Sequence, residues 1–181
     1  MYKHCTTEES FQRQRQIESC LLDLMQTLPY PQITITHICD SIGISRKSFY
    51  RYFGSKDDCL YAMIDHCILD GASRYLPEHS HHPISHQFYE SLFIYWQQQA
   101  SLICVLIRNS LSTLLVERIM GHLDQEERDY HYNLDGSVAD SYEQVLFMVC
   151  GLVGLLIQWY STGFQKTPAQ MADILMQITS K

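Results

Sequence analysis

A single glycine between two short apolar stripes constrains this chain more than any other feature. Ile35, Ile38, Cys39 and Ile42 recur at helical spacing, with Thr34 just ahead of them. The Thr34 hydroxyl can accept a backbone N–H that the first turn of a helix leaves without a partner. Gly43 follows, the residue best suited to the positive φ of a tight turn. Ser45 can cap a second short helix, in which Phe49 and Phe53 share a face at i, i+4, and Gly54 is expected to end it. Two short helices about a glycine turn describe a helix-turn-helix. Its inward positions are Ile38, Ile42, Ile44, Phe49 and Phe53.

The outward positions of the second helix are Arg46, Lys47, Ser48, Tyr50 and Arg51. The whole chain of 181 residues is acidic, with 13 Lys/Arg against 20 Asp/Glu and a net charge of −7. That charge is unevenly placed: residues 1–60 carry seven of each sign, and the excess of acid lies in residues 61–181. Between Asp40 and Asp57 stand Arg46, Lys47, Arg51 and Lys56 with no acid among them. A charge run is ordinarily a solvated helix face. An acid-free run on the helix after a glycine turn instead points a local surface at an anion. Arg and Lys suit guanine edges or phosphates, and Ser and Tyr hydroxyls suit phosphate. Arg46, Lys47 and Ser48, in the first turn beside Ser45, are the candidates for base edges. Tyr50, Arg51, Tyr52 and Lys56 are the candidates for phosphate, with Thr34 and Thr36 at the start of the preceding helix. Tyr52 also has a packing role open to it, against the first helix.

These residues carry a resemblance. The stretch from Ile33 to Asp57 resembles the DNA-binding signature of the TetR (tetracycline repressor) family. The Gly43–Ser45 turn, the block Phe49-Tyr50-Arg51-Tyr52-Phe53 and the helix start Ser55-Lys56-Asp57 match in register, and the likeness extends over roughly residues 10–65. Cys39 stands where the family usually has alanine, and Ile42 where it often does; both are apolar. The resemblance implies an all-α fold: an N-terminal three-helix helix-turn-helix domain over residues 1–56, then a C-terminal helical ligand-binding and dimerisation domain over 57–181. It further implies a ligand-responsive regulator that binds double-stranded operator DNA, a repressor released by a small apolar or amphipathic effector. The alternative is a family-like co-activator or adaptor acting through protein contacts, against which the cations of the second helix argue.

Elsewhere the pattern is helical. Ile17, Cys20, Leu21, Leu24, Met25 and Leu28 form one helix face, stopped by Pro29 and Pro31. Ser55 can cap a further helix running to about Leu76. The break from Pro77 to Ser85 holds His79, His81 and His82, with His86 beyond. Imidazoles suit a transition metal, but only Glu78 lies near as a further ligand, so a polar exposed loop is expected and no metal site. Aromatic and aliphatic residues from Phe88 to Ile107 and from Leu111 to Met120 continue as helix, and an acidic polar stretch is expected from Gly121 to Gly136. The resemblance places an effector among these central helices, with Met63, Cys67, Phe93, Trp96, Ile103 and Leu106 as candidate walls.

The run from Val145 to Ile157 is apolar on all sides, so it needs cover all round. Thr167 and Gln170 frame a capping box with Pro168 at the first helical position, and Met171, Ile174, Leu175 and Ile178 make a stripe behind it. Two such helices from each of two chains make a four-helix bundle. The expected homodimer interface is Val145, Val149, Leu152, Leu156, Met171, Ile174, Leu175 and Ile178.

Seven cysteines with no Cys-x-x-Cys pair argue against a disulfide framework or structural zinc. No nucleophile elbow, phosphate loop or His-Glu-x-x-His is present, so no enzyme and no cofactor are expected. The apolar run of thirteen residues falls short of the ~18 that a bilayer needs, and no signal core opens the chain, so the expectation is a cytoplasmic protein with no membrane partner.

Overall fold

The computed structural model describes residues 2–3, 5–75, 85–126 and 142–179. The chain divides into two compact units, Met1–Cys67 and Ile68–Lys181, and the described residues are helical without strands. In the first unit, α1 (Glu8–Thr27), a 3-10 turn (Tyr30–Gln32), α2 (Ile35–Ile42) and α3 (Arg46–Tyr50) precede α4 (Lys56–Tyr75), which continues into the second unit. α1 starts well ahead of its apolar stripe because Thr7 and Ser10 cap it. Each side chain accepts the other's backbone N–H at 3.3 Å. Glu8 and Glu9 then sit in the first turn, where the helix dipole favours acid. Ile17 and Leu21 of α1, Ile38 of α2, Phe49 and Phe53 about α3 and Leu60 and Ile64 of α4 are buried together as one core. Burying each such side chain contributes roughly 1.5–3 kcal/mol.

The second unit holds α5 (His86–Gln98), α6 (Ala100–Arg108), α7 (Thr113–Glu126), α8 (Tyr142–Ser161) and α9 (Pro168–Thr179). α5 packs along α9, and α8 packs on α6 and α7. Trp159 is central. It meets the Phe93 ring edge-on at 5.4 Å and the Phe164 ring at 4.7 Å, and its indole N–H donates to the Lys166 carbonyl at 2.8 Å. The capping box of α9 forms: the Gln170 side chain accepts the Thr167 N–H at 2.9 Å, and Thr167 Oγ1 accepts the Gln170 N–H at 3.2 Å.

Three expectations change. α3 ends at Tyr50 rather than at Gly54, and the Gly54 N–H donates to Asp58 Oδ2 at 3.1 Å. α7 runs through Gly121 to Glu126, so the start of the expected polar stretch is helix. α8 has 20 residues, because Tyr142–Gln144 and Gln158–Ser161 extend the apolar run at both ends. By length and composition it therefore could cross a membrane, with a mean hydropathy of 1.6 over 18 residues, of which 22% are buried here. Core helices pass the same test. The imidazoles of His79, His81 and His82 lie outside the described residues. His86 heads α5, with Nε2 3.1 Å from Asp173 Oδ1 of α9. No grouping of three metal ligands occurs among the described residues.

Candidate nucleic-acid interface

The recognition surface is assembled by caps and by two phenylalanines. Thr34 Oγ1 accepts the His37 N–H at 3.1 Å, and His37 Nδ1 accepts the Thr34 N–H at 3.4 Å, so α2 starts with a reciprocal cap. His37 is half of that cap, and its ring nitrogen at N3 does what Glu or Gln does in the usual motif. Gly43 takes φ +65° and closes α2, and the Ile44 N–H donates to the Cys39 carbonyl at 3.0 Å. Ser45 Oγ then accepts the Ser48 N–H at 3.1 Å and starts α3. Phe49 is fully buried, packs on Phe53 at 5.5 Å and turns the opposite face of α3 outward.

On that outward face Arg46, Lys47, Tyr50 and Arg51 are exposed, as are Thr34, Thr36 and Ser45, while Ser48 is half-buried. Arg46 leans on Tyr50, with its guanidinium 6.0 Å from the ring centre. Arg51 lies 5.0 Å over the Tyr52 ring and donates to its hydroxyl at 3.0 Å. Tyr52 itself is only 5% exposed, so its ring is packing and its hydroxyl is an acceptor for Arg51. Lys56 is turned inward. Its ammonium donates to the Tyr30 and Ile33 carbonyls at 2.7 Å each and lies 4.1 Å from the Tyr30 ring centre. Burial pushes this ammonium below the ordinary lysine range, with Asp57 opposing.

The other candidate residues fall as follows. Met63 and Cys67 are buried in the first unit, and Phe93, Trp96, Ile103 and Leu106 are buried in the second. An open groove of about 460 Å³ lies elsewhere, between α1 and α2, with Cys20, Asp23, Ser41 and Ile42 in its lining. Of the eight candidate interface residues, Val145, Leu156, Met171 and Leu175 are buried within the chain. Val149, Leu152 and Ile174 are half-buried, and Ile178 is exposed. The outermost apolar side chain of α8 is Phe147, which is 78% exposed and lies on one face with the exposed Cys150, Gly151 and Gly154.

A capped helix, a left-handed glycine turn and a second helix with an exposed cationic face define a helix-turn-helix DNA-binding regulator. Comparison with known proteins gives the family. Residues 22–63 match the pattern described as bacterial regulatory proteins, tetR family, and residues 85–181 match a transcriptional regulator C-terminal region of the same family. The chain belongs to the TetR family of transcriptional regulators, which are DNA-binding proteins and not enzymes. No curated protein matches it. Among solved structures, the TetR regulator from Streptococcus agalactiae 2603V is similar over 94% of this chain and 95% of its own, at 13% identity and a TM-score of 0.63. The fatty acid degradation regulator FadR from Bacillus halodurans is similar over 97% and 96%, at 14% identity and TM-score 0.58. A TetR-family regulator from Syntrophomonas wolfei str. Goettingen is similar over 94% of each chain, at 15% identity and TM-score 0.56. At these identities the likeness is one of fold.

Proposed function

We propose that this chain is a homodimeric repressor that binds an operator through α3 and releases it when a small apolar or amphipathic effector binds the second unit. The observation that carries the reading is the exposed, acid-free face of Arg46, Lys47 and Arg51 on a helix fixed by Phe49. Arg46, Lys47 and Ser48 reach base edges from the first turn, while Thr34, Thr36, Ser45, Tyr50 and Arg51 hold phosphates. Two copies are needed because one five-residue helix reads a short half-site. In the dimer the two helices lie one DNA turn apart, ~34–36 Å, or further if the half-sites are spaced wider.

The dimer reading draws on α8. Gly151 and Gly154 each have open space where a Cβ would stand. Glycine inside a helix is unfavourable by roughly 0.8–1 kcal/mol relative to alanine, and nothing among the described residues compels it there. Two small residues beside an exposed Phe147 suit the close approach of a second backbone. For the effector, the apolar side chains of Phe93, Trp96, Ile103 and Leu106 favour an apolar or amphipathic molecule. The Bacillus halodurans relative is named as a regulator of fatty acid degradation, which agrees in class. An effector acts by its differential affinity for the two states and by no more.

The test is selection of bound fragments from sheared genomic DNA, followed by anisotropy on the enriched duplex. Arg46→Ala and Lys47→Ala should each weaken that binding by ~1–3 kcal/mol and relax preference at particular bases. Binding that is indifferent to a joint Arg46, Lys47 and Arg51 to Ala replacement in a folded protein refutes the assignment of this face.

A further inference from the structure

We propose that Tyr2, Lys3 and Cys5, ahead of α1, serve as a DNA-binding arm, whose Lys3 adds a phosphate contact beside the end of α3. The proposal rests on the reading of α3 as the DNA-binding helix and adds an element to it.

Four hydrogen bonds seat the arm. The Lys3 backbone N–H donates to the Tyr52 carbonyl at 3.0 Å, just past α3. The Lys3 carbonyl accepts from Gln14 Nε2 of α1 at 3.2 Å. Cys5 Sγ donates to Gln14 Oε1 at 3.1 Å. The Tyr2 hydroxyl donates to Asp65 Oδ2 of α4 at 2.9 Å. Gln14 is 1% exposed and Asp65 is fully buried. A buried amide or carboxylate is strongly disfavoured unless it has polar partners. The arm supplies partners to both, from two different helices, so its course is built into the unit. It is not a strand of chain lying where it happens to fall.

The same bonds fix where the arm leads. Tyr52 is the shared point: the Lys3 main chain bonds to its carbonyl, and the Arg51 guanidinium bonds to its hydroxyl. The Lys3 side chain is exposed. A second cation is thus tethered next to the phosphate-binding end of α3. Both cations are attached at Tyr52, and an exposed ammonium there can meet the same run of phosphates that α3 approaches. Lys3 is the arm's contact residue, and Tyr2, Gln14 and Cys5 position it.

A phosphate contact is independent of sequence, so a labelled random-sequence duplex is a sufficient probe. Binding of the full chain would be followed by anisotropy across a sodium chloride series, for wild type, Lys3→Ala, Lys3→Arg, Tyr2→Phe and Arg51→Ala, with a thermal melt of each. Losing one phosphate contact lowers the magnitude of the log–log salt slope by about 0.9 per protomer and weakens binding roughly five- to tenfold near 0.1 M salt. Lys3→Ala should show both changes with an unaltered melt. Lys3→Arg should restore them, and Tyr2→Phe should show a partial loss. If Lys3→Ala matches wild type while Arg51→Ala weakens binding, the arm is overturned and the reading of α3 stands; Lys3 is then a solvated cation or a partner of Glu8 or Glu9. If Lys3→Ala loses affinity only in step with a lowered melt, and Lys3→Arg does not recover it, the arm is likewise overturned. If wild type fails to bind the duplex even at the lowest salt, the reading of α3 falls and takes the arm with it.

Discussion

Lys56 opens α4, and in the sequence it reads as a phosphate ligand. In the folded chain it ties the 3-10 turn to α4, since its ammonium donates to the Tyr30 and Ile33 carbonyls at 2.7 Å each. Lys56→Met keeps the aliphatic stem and deletes every N–H. A hydrogen bond from a charged donor is worth about 1.5–3 kcal/mol net. Lys56 is half-buried, so its own ammonium is partly hydrated and the lower end of that range is taken for each bond. At ~1.5 kcal/mol for each of the two bonds and ~0.5 kcal/mol for the cation–π contact with Tyr30, the loss should be about 3–4 kcal/mol. For a chain of this length that lowers Tm by roughly 6–16 °C. Melts followed by circular dichroism, with urea midpoints as a check, would measure it. The same variant should change the salt slope for DNA little. A melt unchanged within roughly 1 °C, together with a clear loss of slope, would sink the argument, because the ammonium would then serve DNA rather than the fold.

Three further outcomes follow from the packing. Phe147→Glu should give folded monomers by sedimentation, because that side chain is 78% exposed, whereas Leu156→Glu, at a site 1% exposed, should unfold the chain; wild type sedimenting as a monomer at micromolar concentration would end the dimer proposal. Gly71→Ala in α4 should destabilise by ~1–3 kcal/mol despite the better helix former, because the new Cβ would stand 2.7 Å from the buried Tyr95 ring; a raised Tm would contradict this. Stability should decline at alkaline pH. Burial pushes the Cys59, Cys20 and Cys39 thiols up, and burial with the Asp57 hydrogen bond pushes the Tyr30 hydroxyl up. A group with a raised folded pKa keeps its proton longer folded than unfolded. Its contribution is complete below the unfolded range, ~8.5 for Cys and ~10 for Tyr, and is lost above it. Lys56, pushed down, acts in the opposite sense below ~10.4, but it is one group against four. A urea midpoint that holds or rises from pH 7 to roughly 10 would refute the assignment.

What the sequence made legible was local. Thr34, Gly43 and Ser45 act on backbone groups within a few residues, so the turn and both helix starts can be read without knowing what packs on them. The end of α3 could not be read this way. Phe49 and Phe53 keep helical spacing past Tyr50, yet both are fully buried across the break, so the core sets their positions and the helix does not. The seat of the arm was equally hidden. Gln14 and Asp65 are polar side chains in helices and look like solvent positions until tertiary packing buries them. Glu18 is the same case: it is 2% exposed, with both carboxylate oxygens within 3.0 Å of His66 Nδ1. On α8 the apolar run has no polar side, so periodicity could not tell the flank holding Val145 and Leu156 against the chain's own core from the flank presenting Phe147.

The charge distribution gives the proposed two-copy arrangement a physical reason. A chain of net charge −7 must bind a polyanion against its own field. Its first sixty residues are neutral overall, so attraction comes only from the order of charges within them. On α3 the exposed cations are Arg46, Lys47 and Arg51; Lys56 is largely committed to backbone carbonyls. Each phosphate neutralised contributes about 0.9 to the log–log salt slope, so a single protomer with two or three contacts binds DNA weakly at physiological salt. In the proposed dimer a second protomer doubles the slope and adds a second half-site on the same duplex. On the proposed dimer, affinity therefore depends on pairing the patches, and anything that separates or re-spaces them should remove DNA binding without touching a DNA contact.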